Sequence, residues 1–268
     1  MPRSDFLPPV LTRLVLRALG RSSLRGNYPS WKAALAASAP YRTDLAIYGR
    51  LAAEVRSGRH KSSRLLSPFL SAVLLAGGRA RVLDFGGNLG LVYFDVARLT
   101  DNCIDCWNVV DLPDVVAFGN QKFADEKLRF FPAIEEAVAA GTPNIVLCYH
   151  VLQYLESPFA HVSRLVSLEP DIFVLHEFPV ADRERFMVQH LMPELGGQSR
   201  PVRIFCEDEV ASAFIDYELI EEIGLPPWDR TLVGARHVAR IYRRRRPENS
   251  PRDRDSDNRA WNANRARK

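Results

Sequence analysis

The sequence predicts a doubly wound α/β fold, in which helices cover both faces of a mainly parallel sheet. Residues 82–97, VLDFGGNLGLVYFDVA, comprise a short β-branched run, a glycine-rich turn and apolar residues at helical spacing. This order is typical of a strand, a tight loop and a helix, the ligand-binding corner of such a sheet. Asp111 ends the next apolar run, where a second parallel strand would finish at the same edge.

Strand-like and helix-like patterns alternate along the chain. Five strands are predicted at 81–85, 105–110, 127–131, 144–149 and 171–176, and four helices at 89–99, 113–124, 133–140 and 158–168. Such alternation implies parallel strands joined by right-handed crossovers. Two more strands are predicted at 217–222 and 236–242. They form a hairpin-like pair and bring the number of predicted strands to seven.

Helical patterns also precede the first strand. Thr43 is a predicted N-cap for a helix over 44–56, and Ser67 with Pro68 opens another helix that stops at two glycines. The tail is rich in Arg, Asp, Asn and Ser and has few apolar residues, so we predict that it is disordered. The predicted units are a basic amphipathic helical segment (1–25), a helical cap (26–78), a ligand-binding domain (79–243) and a disordered basic tail (244–268).

The N-terminal segment carries Arg13, Arg17 and Arg21 at four-residue intervals among apolar residues. On a helix these arginines form one basic stripe. Packing against the domain or a partner is the favoured interpretation. A helix lying on an anionic membrane surface has the same pattern and remains the alternative.

The net charge of +4 is concentrated at the two ends, because the body between 26 and 242 is net negative. An enzyme of nucleic acids is expected to carry basic groups around its site, so we predict no nucleic-acid partner. Four cysteines without a second Cys-x-x-Cys pair predict ordinary thiols in a reducing compartment and no metal site. Without a secretory signal or a spanning apolar run, the chain is expected in the cytoplasm, with the inner face of the membrane as the site of any lipid contact.

Four short motifs carry a resemblance to a known class of enzyme: GNYPSW (26–31), LDFGGNLG (83–90), VDLP (110–113) and VLQYL (151–155). The second is similar to the first motif of class I methyltransferases that use S-adenosylmethionine (SAM), with Asn88 where a glycine is common. Together the motifs resemble a narrower group of methyltransferases associated with bacterial surface-polysaccharide gene clusters. The resemblance implies a Rossmann-like seven-stranded sheet and SAM as cofactor.

The glycine spacing G-G-x-x-G differs from the G-x-G-x-x-G of nicotinamide-binding corners, and SAM has no phosphate for the helix N-terminus to hold. Asp84 is predicted to serve the amino group of SAM, directly or through water. Asp111 is predicted to accept from two ribose hydroxyls, a contact that equally suits an unphosphorylated nicotinamide cofactor. The other predicted cofactor-binding residues are Gly86, Gly87, Asn88, Gly90, Leu112, Phe131 and His150.

The strand ends also supply candidates for the acceptor side. Neither the Asn/Asp-Pro-Pro-aromatic sequence of nucleic-acid amino-methyltransferases nor the metal-binding Asp of catechol-type enzymes follows the fourth strand, which favours metal-independent transfer to a small molecule or saccharide. His176 is the predicted general base, with Glu177 holding its tautomer, although strand alternation would turn only one of them toward an acceptor. Tyr28, Trp31 and Tyr154 are predicted to line the acceptor pocket.

Three hypotheses follow from these residues. The first is a SAM-dependent methyltransferase that methylates a small molecule or saccharide, with O-methylation in surface-polysaccharide biosynthesis as its specific form. The second is a nicotinamide-dependent oxidoreductase or sugar-modifying enzyme, which the glycine spacing disfavours. The third is a SAM-binding scaffold without catalytic activity.

Overall fold

A computed structural model describes residues 23–39, 44–58, 66–191, 198–226 and 234–245. Within these ranges the strands are β1 (Ser23–Tyr28), β2 (Ala80–Phe85), β3 (Ile104–Val110), β4 (Leu128–Phe131), β5 (Ile145–Tyr149), β6 (Ile172–Ala181), β7 (Arg185–His190), β8 (Ser199–Cys206), β9 (Tyr217–Leu225) and β10 (Arg236–Arg244). The helices are α1 (Trp31–Ala36), α2 (Leu45–Arg56), α3 (Leu66–Leu75), α4 (Leu91–Thr100), α5 (Pro113–Lys122), α6 (Ile134–Ala140), α7 (Pro158–Val166) and α8 (Glu207–Ala213).

Seven of these strands form the central sheet in the order β4-β3-β2-β5-β6-β10-β9. The first five are parallel, and β10 runs antiparallel between β6 and β9. The parallel strands read as near-continuous apolar runs because both of their faces are buried. The Rossmann-like class I methyltransferase fold predicted from the sequence, with its antiparallel closing pair, is confirmed.

Two hydrophobic clusters cover the two faces of the sheet. One contains residues of α2, α3, α4 and α5, including Ala52, Phe69 and Val96. The other contains residues of α6, α7 and α8, including Ile134, Leu165 and Val210. The helices α2 and α3, which the sequence assigned to a cap, therefore form part of the layer that packs on the sheet.

Local capping explains where these N-terminal helices begin and end. The Asp44 carboxylate accepts hydrogen bonds from the backbone N–H groups of Ala46 and Ile47 at 3.0 Å each, so Asp44 is the N-cap of α2 in place of the predicted Thr43, which lies outside the described residues. After α3, Gly77 and Gly78 adopt positive φ angles of 83° and 81°, a conformation that ends a helix.

A second, three-stranded antiparallel sheet lies beside the first, in the order β1-β7-β8. The strands β7 and β8 form an insertion between β6 and α8, and the end of β8 runs parallel to the end of β6 through Val180 and Ala181. The sequence analysis did not predict this sheet. It assigned residues 23–25 to a helical segment and 26–28 to the helical cap, whereas all of them belong to β1, and it placed Arg244, the last residue of β10, in the disordered tail. Residues 1–22 and the predicted tail beyond 245 lie outside the described ranges.

The two faces of this small sheet contact different parts of the protein. Tyr154, in the 3₁₀ turn Leu152–Tyr154, packs against Leu24, Met187, Val202 and Ile204. The helix α1 packs against β7 and β8, and Trp31 of that helix lies near Arg203. Residues 202 and 203 point to opposite faces of a strand, so α1 and Tyr154 lie on opposite sides of the sheet.

No helix in the described ranges is long and apolar enough to cross a lipid bilayer. The longest described helix is α2, with 12 residues. A helix needs about 20 predominantly apolar residues to span the hydrocarbon core.

An ion-pair network joins β9 and β10 to α8. Arg240 is 5% exposed and pairs with Glu207 and Glu222, and Arg236 pairs with the same two carboxylates. Burial alone would raise the pKa of Glu222, but hydrogen bonds from Arg236 and Arg240 lower it below its usual range. A lowered carboxylate pKa stabilises the fold above the ordinary pKa of glutamate, and this stabilisation is lost as the pH falls.

We therefore expect Glu222→Gln to lower the free energy of unfolding at pH 7 by about 1 kcal/mol, the scale of a networked surface ion pair. The difference from the wild type should shrink at pH 4, because Glu222 is then largely protonated in the unfolded chain and its pairing contributes less. Urea unfolding at the two pH values measures this difference in the free energy of unfolding. The variant Glu221→Gln, at the exposed neighbouring residue, is the matched control. If Glu222→Gln lowers the free energy of unfolding as much at pH 4 as at pH 7, the ion pairs of Glu222 are not the cause of the lost stability.

Candidate active site

The candidate site lies where the parallel strands β2, β3, β5 and β6 end. Ligands of open α/β sheets bind beyond the carboxyl ends of such strands. Adjacent strands are in register here, so that Asp84 pairs with Val109 and Tyr149 with His176. The residues that follow each strand therefore meet along one edge of the sheet.

The loop after β2 approaches its neighbours so closely that it needs small residues. Gly86 has a φ of 72°, and a Cβ added there would lie 2.2 Å from Cγ2 of Val151. A Cβ on Gly87 would lie 2.4 Å from the carboxylate of Asp84. Asn88 adopts a left-handed φ of 52°, a conformation that asparagine tolerates better than most residues. The loop is a tight backbone cradle above Asp84.

Asp111 is held by two backbone N–H groups at the end of β3. Its Oδ2 accepts from Asn88 at 2.8 Å and its Oδ1 from Leu112 at 2.7 Å. Burial raises the pKa of Asp111, and the two hydrogen bonds partly offset that effect. Each carboxylate oxygen has a second lone pair, so a fixed Asp111 can still accept two bonds from a ligand.

Asp84 is completely buried below the glycine-rich loop. Its Oδ2 accepts from Nε1 of Trp107 at 3.0 Å, and its Oδ1 has no hydrogen-bond partner among the described residues. Burial raises the pKa of Asp84 to about 7; the bond from Trp107 opposes this rise and the charge of Asp111 adds to it. A buried carboxylate oxygen without a donor is costly and marks a place where a ligand can supply one.

Leu112 follows β3, and Phe131 is the last residue of the neighbouring strand β4. The backbone N–H of Asp111 donates to the carbonyl oxygen of Phe131 at 3.2 Å. The Leu112 residue is 62% exposed, unusual for a large apolar group, and Phe131 is partly buried. The strands β3 and β4 lie on the side of β2 away from β5, and Phe131 packs against the hydrophobic cluster of α6, α7 and α8. The predicted cofactor-binding residues of β2, β3 and β4 are thus brought together.

A β-bulge interrupts β6 at His176 and Glu177. On β10, Val238 pairs with Phe178 and Arg240 with Leu175, so two residues of β6 oppose the single residue Ala239. Glu177 takes a left-handed φ of 51° within the bulge. Bulges redirect side chains and often lie next to active sites. The simple alternation assumed for these two residues from the sequence therefore fails here.

The bulge brings Glu177 to His150, which follows β5. The Glu177 Oε2 lies 3.4 Å from Nδ1 of His150, and the side chain of Gln153 lies 2.9 Å from the same nitrogen. The hydroxyl of Tyr154 lies 2.7 Å from Nε2 of His150. His150 itself has a left-handed φ of 51°. We call His150, Gln153, Tyr154 and Glu177 the polar cluster; Val151, which contacts Gly86, connects it to the glycine-rich loop.

The imidazole of His150 is neutral at physiological pH. Its pKa is lowered to about 3: burial is the largest cause, the positive charge of Arg200 adds to it, and a hydrogen bond with the backbone of Glu177 opposes the shift. The guanidinium of Arg200 lies 3.4 Å from the centroid of the Tyr154 ring. This arginine comes from β8, so the inserted sheet contributes to the site.

Three predicted residues lie elsewhere. His176 is completely buried and its ring packs 5.2 Å from that of Tyr149, so the structure does not place it on a surface that an acceptor could reach. Trp31 is 8% exposed on the α1 side of the small sheet, away from Tyr154. Tyr28 pairs with Phe186, on the same side as Trp31. Of the predicted acceptor residues, only Tyr154 lies at the strand ends.

Sequence reasoning missed Gln153 and Arg200. Gln153 lies inside the VLQYL motif, next to the predicted residue Tyr154, and this position could have indicated that it belongs to the site. Arg200 lies on a strand that was not predicted and had no such signal. Across the described part of the chain, no three His, Cys, Asp or Glu side chains converge in a way that could hold a metal ion.

Neither a protein family nor a curated protein matches the sequence. Among solved structures, the chain is similar to a 1,6-didemethyltoxoflavin-N1-methyltransferase of Burkholderia thailandensis with bound 1,6-didemethyltoxoflavin and S-adenosylhomocysteine. The two chains are 18% identical, the TM-score is 0.48, and the match covers 84% of this chain and 100% of that one. This chain is also similar to SAM-bound CalS10, an amino pentose methyltransferase of Micromonospora echinaspora, with 15% identity, a TM-score of 0.47, and coverage of 77% and 98%. A SAM-dependent methyltransferase of Clostridium acetobutylicum gives 6% identity, a TM-score of 0.47, and coverage of 73% and 97%. Likenesses this distant do not carry an activity or a substrate, and the fold assignment rests on the strand order.

The buried Asp84 predicts a stability that depends on pH. Its pKa rises from 3.8 to about 7 on folding, so the unfolded chain releases the proton first and the wild type loses stability between these two values. Asp84→Asn keeps an acceptor for Trp107 and removes the buried charge. We expect the variant to be more stable than the wild type at pH 8 by up to about 4 kcal/mol, three pKa units converted, and to match it at pH 4.

Thermal unfolding across this pH range measures the difference, with the exposed Asp114→Asn as the control that should show no comparable change. If Asp84→Asn is equally destabilised at pH 4 and pH 8, ionisation of the Asp84 carboxylate does not lower the stability of the wild type.

Proposed function

We propose that this protein is a SAM-dependent methyltransferase that methylates a hydroxyl group of a small molecule or saccharide. The corner formed by Asp84, the glycine-rich loop and Asp111 carries the proposal. It combines an unsatisfied buried carboxylate oxygen, a backbone cradle and a fixed second carboxylate at one edge of a class I methyltransferase sheet.

The residues of this corner fit the chemical groups of SAM. Asp84 would pair with the cationic amino group, for which its Oδ1 is available, and Asp111 would accept from the two ribose hydroxyls. Leu112 and Phe131 would contact the adenine with their apolar surfaces. When bound, SAM supplies an electrophilic methyl group attached to a sulfonium.

The polar cluster is the proposed acceptor side, with His150 as the general base. A neutral imidazole can accept the proton of the acceptor hydroxyl, and Tyr154 lies in hydrogen-bond contact with its Nε2. Glu177, 3.4 Å from Nδ1, would stabilise the imidazolium that forms. This assignment moves the base from His176 to His150, because His176 is completely buried, and keeps Glu177 in its supporting role.

The finer parts of the proposal rest on the motif resemblance. It associates the chain with surface-polysaccharide biosynthesis in the cytoplasm and favours a saccharide acceptor. Calorimetric titration of the protein with SAM and with NAD separates a methyltransferase from a nicotinamide-dependent enzyme. Formation of S-adenosylhomocysteine with a panel of hydroxyl acceptors then separates a catalyst from a SAM-binding scaffold.

We expect Asp111→Ala to weaken SAM binding by about 1.5–3 kcal/mol, the usual contribution of hydrogen bonds to a charged group, or roughly 10- to 150-fold in Kd. The exposed Asp114→Ala, three residues further on, should leave the Kd unchanged and is the matched control. Equal affinities in the wild type and Asp111→Ala would remove Asp111 from the cofactor site.

We expect His150→Gln to lower the turnover of an identified acceptor by about 10²- to 10⁴-fold, with the Kd for SAM within a few-fold of the wild type. Turnover should fall because the variant lacks the proposed proton acceptor, and the Kd should hold because the residues proposed to bind SAM are unchanged. His176→Gln serves as the comparison, and thermal unfolding establishes that both variants fold. If His176→Gln abolishes turnover in a folded protein while His150→Gln remains active, the base is His176, as first predicted from the sequence.

A further inference from the structure

The inserted β7–β8 hairpin delivers one cation to the edge of the polar cluster. Arg200 of β8 pairs in register with Gln189 of β7, and its Nε donates to Oε1 of Gln189 at 2.9 Å. Gln189 is only 3% exposed. The face of the guanidinium stacks on Tyr154, whose hydroxyl contacts His150. Arg200 is thus fixed at two points beside the proposed base.

A guanidinium held in this way is suited to recognition of an anion. Its planar set of N–H donors matches the two oxygens of a carboxylate or phosphate. Because Gln189 and Tyr154 already restrict the side chain, little further conformational entropy is lost when a ligand binds.

The charge of Arg200 also reaches the base, since it contributes to the lowered pKa of His150. A fixed cation next to a histidine weakens that histidine as a proton acceptor. An anion bound to Arg200 would offset this one contribution and raise the pKa of His150, while the larger effect of burial would remain. An acceptor with a negative group would therefore strengthen the base that acts on it.

We propose that Arg200 binds an oxyanion of the methyl acceptor, so that the substrate is a hydroxyl-bearing anionic small molecule such as an acidic or phosphorylated sugar. This inference rests on the proposed function in placing the acceptor at His150. Recognition of the oxyanion by Arg200 is a binding step, however, and it can be measured without turnover.

The test compares three probes, glucose 6-phosphate, glucuronate and glucose, titrated into the full chain with and without S-adenosylhomocysteine and followed by ligand-observed NMR. We expect the anionic probes to bind at least tenfold more tightly than glucose. Arg200→Gln should remove that advantage, Arg200→Lys should keep part of it, and the two anionic probes show whether phosphate or carboxylate is preferred. Arg203→Gln is the matched control, because Arg203 lies on the same strand, pairs with Glu184 and lies near Trp31.

Three results would overturn the inference: no preference for the anionic probes in the wild type, an equal loss of preference in Arg203→Gln, or weaker binding of S-adenosylhomocysteine in Arg200→Gln. The last result would assign Arg200 to the carboxylate of the cofactor. A wild-type protein that fails to bind SAM but still prefers the anionic probes through Arg200 would contradict the proposed function and leave the anion site standing.

Discussion

The hydrogen bond from Trp107 to Asp84 connects the hydrophobic core to the ligand corner. Trp107 is completely buried, and its ring lies 5.1 Å from that of Phe69 and 5.7 Å from that of Tyr93. The indole N–H therefore has a fixed direction, and it holds a carboxylate directly beneath Gly87. Because that carboxylate fills the space where a side chain at 87 would lie, only glycine fits at this position. A packed core thus supports a charged group that would otherwise be too costly to bury.

A β-bulge in β6 places the second polar part of the site, because it brings Glu177 to His150. Without the bulge in β6, Glu177 would follow the alternation of the strand into the apolar layer that contains Leu175. The extra residue turns it toward His150 and allows β6 to continue to Ala181, where β8 joins. One local irregularity therefore both aims a carboxylate and extends the strand that anchors the inserted sheet. Left-handed backbone at both His150 and Glu177 is consistent with a conformation that the surrounding structure imposes.

Most of the central sheet could be predicted because parallel strands and their helices have strong local patterns. The strand over 105–110 and the helix over 113–124 agree with β3 and α5 to within two residues. The inserted sheet could not be predicted in this way: both β1 and β8 contain arginine, β1 also contains glycine and β8 proline, and β1 pairs with β7, which is far away in sequence. Likewise, the cofactor corner follows from one short motif with Asp111, whereas His176 was preferred as the base because a bulge has no signal in a single sequence.

The division of the site between two sheets has a chemical consequence. The central sheet carries the residues proposed for the cofactor on rigid strand ends, and these residues are joined by backbone hydrogen bonds such as that from Asn88 to Asp111. The proposed acceptor side is the polar cluster, whose Tyr154 packs on the inserted sheet. The β7–β8 hairpin therefore contacts the proposed acceptor side through residues other than Asp84, Gly87 and Asp111. The Arg200 guanidinium, which β8 places on the Tyr154 ring, is the group through which the insertion reaches the proposed base, so the proposed function assigns substrate preference to the insertion.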